Sequence, residues 1–335
     1  MATDVFALFA DSQLSYVLRC CLFDAIIIAG TFSEIVKKWY RDLVADAATQ
    51  PRVYRKGAIM PPRPTLDLSI GDSAHAPRIF DLEQPRTDTM PIHPAHRPGY
   101  SYVLHRRHQD AAGQDGPRSS ASGMIVCMEH TGTHIDALSH QADHLMLCGG
   151  IPIDAEVQTA RGFTRHGVEQ IPPIVAPGVL LDLPAHFGVD ALAEGYAVTA
   201  AELAACCDRQ GLTIEAGDVA LVYTGNEHAW GDEQRYLAGP GMAGDASRWL
   251  ADRGVIAVGA DNMAWDVLGL HDAEFGCTLP GHLLLLAQRG IYIIENLRLS
   301  ALAAARAYQF VFVCTPLKFV GATGSPVRPI AMLPA

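Results

Sequence analysis

Positive charge is scarce in this chain. Its 335 residues hold 25 Lys and Arg against 36 Asp and Glu, a formal net charge of −11. A phosphate backbone or an anionic bilayer is repelled on average by such a protein, so neither nucleic acid nor a membrane surface is expected as a partner. The Arg106-Arg107 pair reads as solvated loop. Long uninterrupted apolar runs are also missing: Arg19 and Asp24 break the stretch from Leu14 to Phe32, and no small-residue cleavage site follows it. No spanning helix or signal peptide is expected, and the reading is a cytoplasmic protein. No C-x-x-C pair occurs among the 8 cysteines, which fall mostly inside apolar runs as Cys20-Cys21, Cys127, Cys148, Cys206-Cys207, Cys277 and Cys314. That placement predicts buried free thiols rather than disulfides or a zinc knuckle. Internal repeats are absent too, whereas core material is plentiful, with 49% of residues hydrophobic.

Against that background one segment stands out. His130 to His140 reads H-T-G-T-H-I-D-A-L-S-H, three imidazoles and one carboxylate within a single short stretch. Imidazole nitrogen and carboxylate oxygen are the usual ligands of a catalytic divalent ion. Gly132 and its flanking threonines suggest a tight backbone path that makes the ligands converge. The spacing predicts His130, His134 and Asp136 as metal ligands. If Asp136 opens a helical turn, His140 falls on the same face one turn later and serves as general acid/base. A histidine-rich surface loop is the plainer alternative.

The pattern H-x-G-T-H-x-D-x-x-x-H resembles that of the cyclase family of metal-dependent hydrolases, which includes kynurenine formamidase and isatin hydrolase. Arg78–Leu82, Gly178–Leu183, Gly259–Asn262 and Gly321–Pro329 are similar to family segments as well. Ala137-Leu138 stands where kynurenine formamidases commonly carry proline, which leans the resemblance toward the longer, isatin-hydrolase-like branch. The resemblance implies metal binding by His130, His134 and Asp136, acid/base catalysis by His140, and a second metal position completed by His282 and Glu295. It also implies one or two divalent ions, zinc or manganese, a small-molecule substrate, a homo-oligomer and a swivelling β/β/α fold. Taken alone, His282 could be a helix-start residue and Glu295 a partner of Arg298.

The rest of the chain organises as an α/β protein with mixed sheets. Residues 1–65 read as a helical extension, amphipathic over 33–48, and a proline-rich connector; residues 66–335 read as the hydrolase domain. Continuous apolar runs at Val179–Leu183, Asp218–Thr224, Val255–Gly259, Ile291–Ile294 and Phe310–Cys314 predict strands buried on both faces. Thr199 with Glu202 predicts a capped helix ending at Gly211; further helices are expected to end at Gly254 and Gly290. His105 to Gly123 reads as a surface loop, with a lid over the site as the alternative. Asp261 is a candidate to orient a ligand histidine or a turn residue, and Tyr223–Asn226 with Trp230 are candidates for a substrate wall or plain packing. Thr323–Pro326 reads as a structural turn.

The expected chemistry is hydrolysis of a carbon–nitrogen bond in a small cyclic amide, imide or N-formyl amine by metal-activated water. Two other readings remain at this point. His134-Ile135-Asp136 is an H-x-D, the start of a non-haem iron oxygenase triad. A non-catalytic, metal-stabilised binding protein is the third, although no cysteine lies in the motif.

Overall fold

The computed structural model describes residues 77–333 apart from Ala112 and Gln114. The extension and connector expected over residues 1–65 lie outside the described residues.

A nine-stranded mixed sheet organises the domain. Its strands, in chain order, are β1 (Arg78–Asp81), β4 (His134–Asp136), β5 (Ile174–Asp182), β6 (Val219–Tyr223), β7 (Ala257–Ala260), β8 (Tyr292–Glu295), β9 (Gln309–Cys314), β10 (Gly324–Pro326) and β11 (Ile330–Leu333). The numbers β2 (Tyr100–Arg106) and β3 (Ser122–Cys127) belong to a separate antiparallel ribbon. Across the sheet the order is β1-β11-β9-β5-β6-β7-β8-β4-β10. The central β5, β6, β7 and β8 are parallel; both flanks are antiparallel.

The central strands are apolar without alternation because both faces are covered. Successive side chains point to opposite faces, so Leu180, Leu221 and Ile294 enter one core while their neighbours Leu181, Val222 and Ile293 enter the other. On the second face lie α1 (Ala200–Gln210), α2 (Gly244–Ala251) and α3, which begins as an α-turn at Pro280–His282 and continues as a π-helix over Leu283–Arg289. Their Leu203, Cys206, Leu250, Leu285 and Leu286 fill that core. Full burial of each such aliphatic side chain contributes roughly 1.5–3 kcal/mol. Thr199 and Glu202 form the expected reciprocal capping box on α1, and Gly211 and Gly290 end their helices in the left-handed conformation. Of the described cysteines Cys206, Cys207 and Cys314 are buried as expected, Cys127, Cys148 and Cys277 are half-buried, and none forms a disulfide.

Two local expectations are corrected. Asp136 does not open a helical turn: it ends strand β4, and His140 follows in a turn in which its N–H donates to the Ala137 carbonyl at 2.9 Å. The segment 105–123, expected to be loop throughout, starts and finishes inside the ribbon, since β2 runs to Arg106 and β3 begins at Ser122.

Candidate metal centre

Sheet register assembles the site. In β4, His134 and Asp136 are two residues apart and share a face, while Ile135 between them enters the core. The antiparallel partner β8 sets Glu295 opposite His134 and Ile293 opposite Asp136, and β10 sets Gly324 opposite Asp136 on the other side. Glu295 therefore reaches the face that carries the motif, from a strand about 160 residues away in sequence. The first turn of α3 brings His282 to the same place. His130, His134, Asp136, His282 and Glu295 are each at most 5% exposed.

The tight turn before β4 is built as its sequence suggests. Gly132 has φ +61°, a conformation that favours glycine, and a Cβ there would meet the Arg86 guanidinium at 2.7 Å. Arg86 donates to the carbonyls of Thr131 and Thr133, and Asn296 Nδ2 donates to the Gly132 carbonyl at 2.9 Å. That same carbonyl accepts from His134 Nδ1 at 2.8 Å, which turns Nε2 of His134 inward. Nε2 lies 3.4 Å from both Asp136 Oδ1 and Glu295 Oε2. His282 is oriented the same way: Nδ1–H donates to Asp266 Oδ2 at 2.7 Å, and Nε2 lies 3.1 Å from Glu295 Oε1 and 3.6 Å from Asp136 Oδ2. Orienting partners of this kind raise the basicity of ligand imidazoles and fix their tautomer.

Two sets of three potential ligands result, His130–His134–Asp136 and Asp136–His140–His282; within each set the ligand atoms lie within 4.8 Å of one another. Asp136 belongs to both. Asp136 Oδ2 is buried and accepts no hydrogen bond, an arrangement that costs free energy unless a cation or donor meets it. Burial pushes Asp136 up, yet the imidazoles of His140 and His130 outweigh it and hold the carboxyl well below the usual carboxylate range. Burial, with the charge of Asp136, pushes Glu295 up. Burial also lowers His140 to about 3, against the pull of Asp136. Convergent imidazoles and two buried carboxylates suit a divalent ion, and the donor set fits one without further residues.

The structure brings together every residue singled out for the site: His130, His134, Asp136, His140, His282 and Glu295. It also adds some. His96, in a 3-10 turn at Pro94–His96, sets its ring 4.9 Å from that of His130 and 6.3 Å from that of His140. Burial, then His130, lowers it to about 4. Its H-x-x-H spacing with His93 was a signal available in the sequence. Asp266 gave none, because its role depends on where α3 starts. Of the two readings of Asp261 the structure takes the turn residue: its carboxylate accepts from Thr224 N and Oγ1 at 2.8 Å and from Glu227 N at 3.3 Å. Glu295 is paired with cluster histidines, not Arg298. Thr323 is more than a turn residue, since its Oγ1 meets His130 Nε2 at 2.8 Å. Trp230 packs on Tyr236 and donates to the Pro85 carbonyl, the packing alternative. Surface clefts of about 370 and 350 Å³ lie elsewhere, one beside Asp190 and Arg235, the other beside Pro172 and Tyr292, and neither includes a cluster histidine.

Comparison with known proteins agrees with this geometry. The family model described as putative cyclase matches residues 80–267, more than half of the chain. Cyclase-like protein 3 of Oryza sativa subsp. japonica is 26% identical over 225 residues, 65% of this chain and 67% of that protein. Isatin hydrolase of Roseibium aggregatum is 25% identical over 229 residues, 66% of this chain and 77% of that protein. Among solved structures, one described as a novel cyclase superposes with TM-score 0.68 at 28% identity, covering 76% of this chain and 88% of its own. Isatin hydrolase A from Ralstonia solanacearum shares the fold, with TM-score 0.58 at 24% identity over 77% of this chain and 92% of its own. The fold and the cluster define an enzyme of the metal-dependent hydrolase type. The chain belongs to the cyclase family.

Proposed function

We propose that the chain hydrolyses a carbon–nitrogen bond of a small non-peptide amide, in the first instance a cyclic one such as a lactam or imide. The observation that carries this reading is the pair of ligand triplets sharing Asp136, with Asp136 Oδ2 buried and accepting no hydrogen bond. Similarity to isatin hydrolase supports the cyclic-amide class. His130, His134, Asp136, His282 and Glu295 would hold zinc or manganese, as one ion or two. A divalent ion bound there supplies Lewis acidity, making water nucleophilic near neutral pH and polarising a carbonyl.

The chain's own groups do the rest. Asp266 and the Gly132 carbonyl hold Nδ1 of His282 and of His134 and so keep their Nε2 atoms turned into the cluster. His140, half-buried beside the cluster with its ring 3.9 Å from that of His130, is the group placed to take a proton from the attacking water and return it to the leaving nitrogen. Membership in this family leaves the iron-oxygenase and non-catalytic readings without support.

Zinc- and manganese-loaded protein should open isatin-like lactams, imides or N-formyl amines, and a chelator should abolish turnover. Metal-replete protein inert toward all three classes would refute the reading. His140→Ala should lose about 10²–10⁴-fold in turnover with metal content intact; loss of metal in that variant would reassign His140 as a ligand, which its place in the second triplet makes geometrically feasible.

We further propose that the partner, besides the substrate, is a second copy of the chain seated on the β2–β3 ribbon. Tyr102, Val103, Leu104, Met124, Ile125 and Val126 point alternately to its two faces and are all more than 40% exposed. Apolar surface of that kind marks an interaction site. Among the described residues no helix is long and apolar enough to cross a membrane.

A further inference from the structure

His130 is held differently from the other histidines of the cluster. His134 and His282 donate through Nδ1 and turn Nε2 inward, whereas His130 turns Nδ1 inward, 2.7 Å from Asp136 Oδ1, and gives Nε2 to Thr323 Oγ1 at 2.8 Å. The protons on this chain can be assigned. Glu129 is a carboxylate and can only accept. It grips Thr323 at two atoms, taking the backbone N–H at 3.0 Å and the hydroxyl at 2.5 Å. The single hydroxyl hydrogen of Thr323 is thereby directed at Glu129, so Oγ1 faces His130 with lone pairs only, and Nε2 of His130 must carry a hydrogen. In the neutral ring Nδ1 then has a bare lone pair, directed into the cluster and against a carboxylate oxygen. At 2.7 Å from a carboxylate oxygen, Nδ1 needs a positive centre between the two: a proton when the ring is imidazolium, a metal ion when it is neutral.

We propose that Thr323 and Glu129 are positioning residues for metal binding: they fix the tautomer of His130 that presents Nδ1 as a ligand. The proposal rests on the reading that the cluster holds a divalent ion. The surroundings are built to keep the relay in register. The Thr323 carbonyl accepts from Ala137 N at 2.8 Å, just past the end of β4, and the next residue, Gly324, begins β10. A Cβ on Gly324 would stand 2.6 Å from Cε1 of the His130 ring, so glycine alone lets β10 run close enough for the Thr323 hydroxyl to reach Nε2. The relay spans 194 residues of sequence between Glu129 and Thr323.

The test is metal affinity, measured for Zn²⁺ and Mn²⁺ by competition with a chromophoric chelator on full-length protein, with the visible spectrum of Co²⁺-loaded protein as a second readout. Thr323→Val removes the hydroxyl at constant shape, and Thr323→Ser keeps it. Thr323→Val should weaken binding about 10–100-fold and shift the Co²⁺ bands, and Thr323→Ser should restore both. Glu129→Ala should weaken binding comparably, and the double variant should add little to either single change, as expected for groups acting in series. Thr323→Val with wild-type affinity, equal losses in Thr323→Val and Thr323→Ser, or fully additive losses would overturn the proposal. If Thr323→Val fails to fold, the Glu129→Ala and Thr323→Ser pair decides on the same criteria. Wild-type protein that binds none of these ions removes the metal-site reading itself, and the proposal with it.

Discussion

The ribbon Tyr100–Cys127 and the segment His130–Asp136 adjoin in sequence, yet they invert the usual partition of side chains in opposite senses. The ribbon holds Val103, Ile125 and Val126 in water at 51%, 64% and 53% exposure, while its neighbour holds His134 and Asp136 in the dry interior at 2% and 1%. Apolar groups outside and ionisable groups inside are both unfavourable by themselves. On the reading proposed above, each inversion answers to a different occupant: a cation for the interior cluster, another apolar surface for the ribbon.

The interior half of this comparison breaks most completely at Asp136, the potential ligand common to both triplets. Asp136→Ala should reduce metal content, by elemental analysis, and turnover to background while circular dichroism shows a folded chain. Stoichiometric metal in that variant would mean that the buried carboxylate serves the fold alone.

A buried carboxylate outside the cluster sharpens the contrast. Burial, then the charge of Glu227, raises Asp261 from 3.8 to about 7. An acid whose folded pKa is raised holds its proton in the folded state over a range where the unfolded chain has released it. Its contribution is fully present below pH 4 and is lost as pH rises through 7, a span of about 4 kcal/mol at 1.36 kcal/mol per pK unit. Asp261→Asn should remove that fall, visible as a flatter dependence of urea-unfolding free energy on pH between 4 and 7. An unchanged slope would show that Asp261 is ionised in the folded protein throughout.

Smaller effects are expected around the ligands. Asp266→Ala frees the His282 ring and should weaken metal binding about 10–100-fold without emptying the site, measured by the same chelator competition. The smallest change in stability belongs to the ribbon. Lysine at Val103 and Ile125 together should alter the unfolding free energy of the monomer by no more than about 0.5 kcal/mol, yet lower the molecular mass seen by light scattering to that of one chain. If wild type is itself monomeric, the ribbon's exposure needs another explanation.

Much of this was legible from local pattern. The strands β5 to β8 announced themselves as apolar runs because both faces of a central parallel sheet are covered, whereas β9, expected to be alike, is an antiparallel flank that fully buries only alternate side chains; the capping box at Thr199 and Glu202 is a contact between near neighbours. The motif histidines were legible because their convergence is local. Other features were not. Whether Asp136 opened a helix or ended a strand depended on β8 and β10 lying on either side of it. The substitution of Asp266 for Asp261 as the orienting carboxylate depended on the entry point of α3, and the role of Thr323 on β10 returning beside β4.

The sequence alone determined the covalent facts: which ligand types are present, that three of them lie within reach of one another, and that the chain alternates between strand and helix. Tertiary structure decided which oxygen and nitrogen atoms face the cluster, because register and second partners orient a side chain, and those partners come from strands and helices far away along the chain. A tautomer is a property of a hydrogen-bond network, and that network exists only after β4, β8, β10 and α3 have packed together.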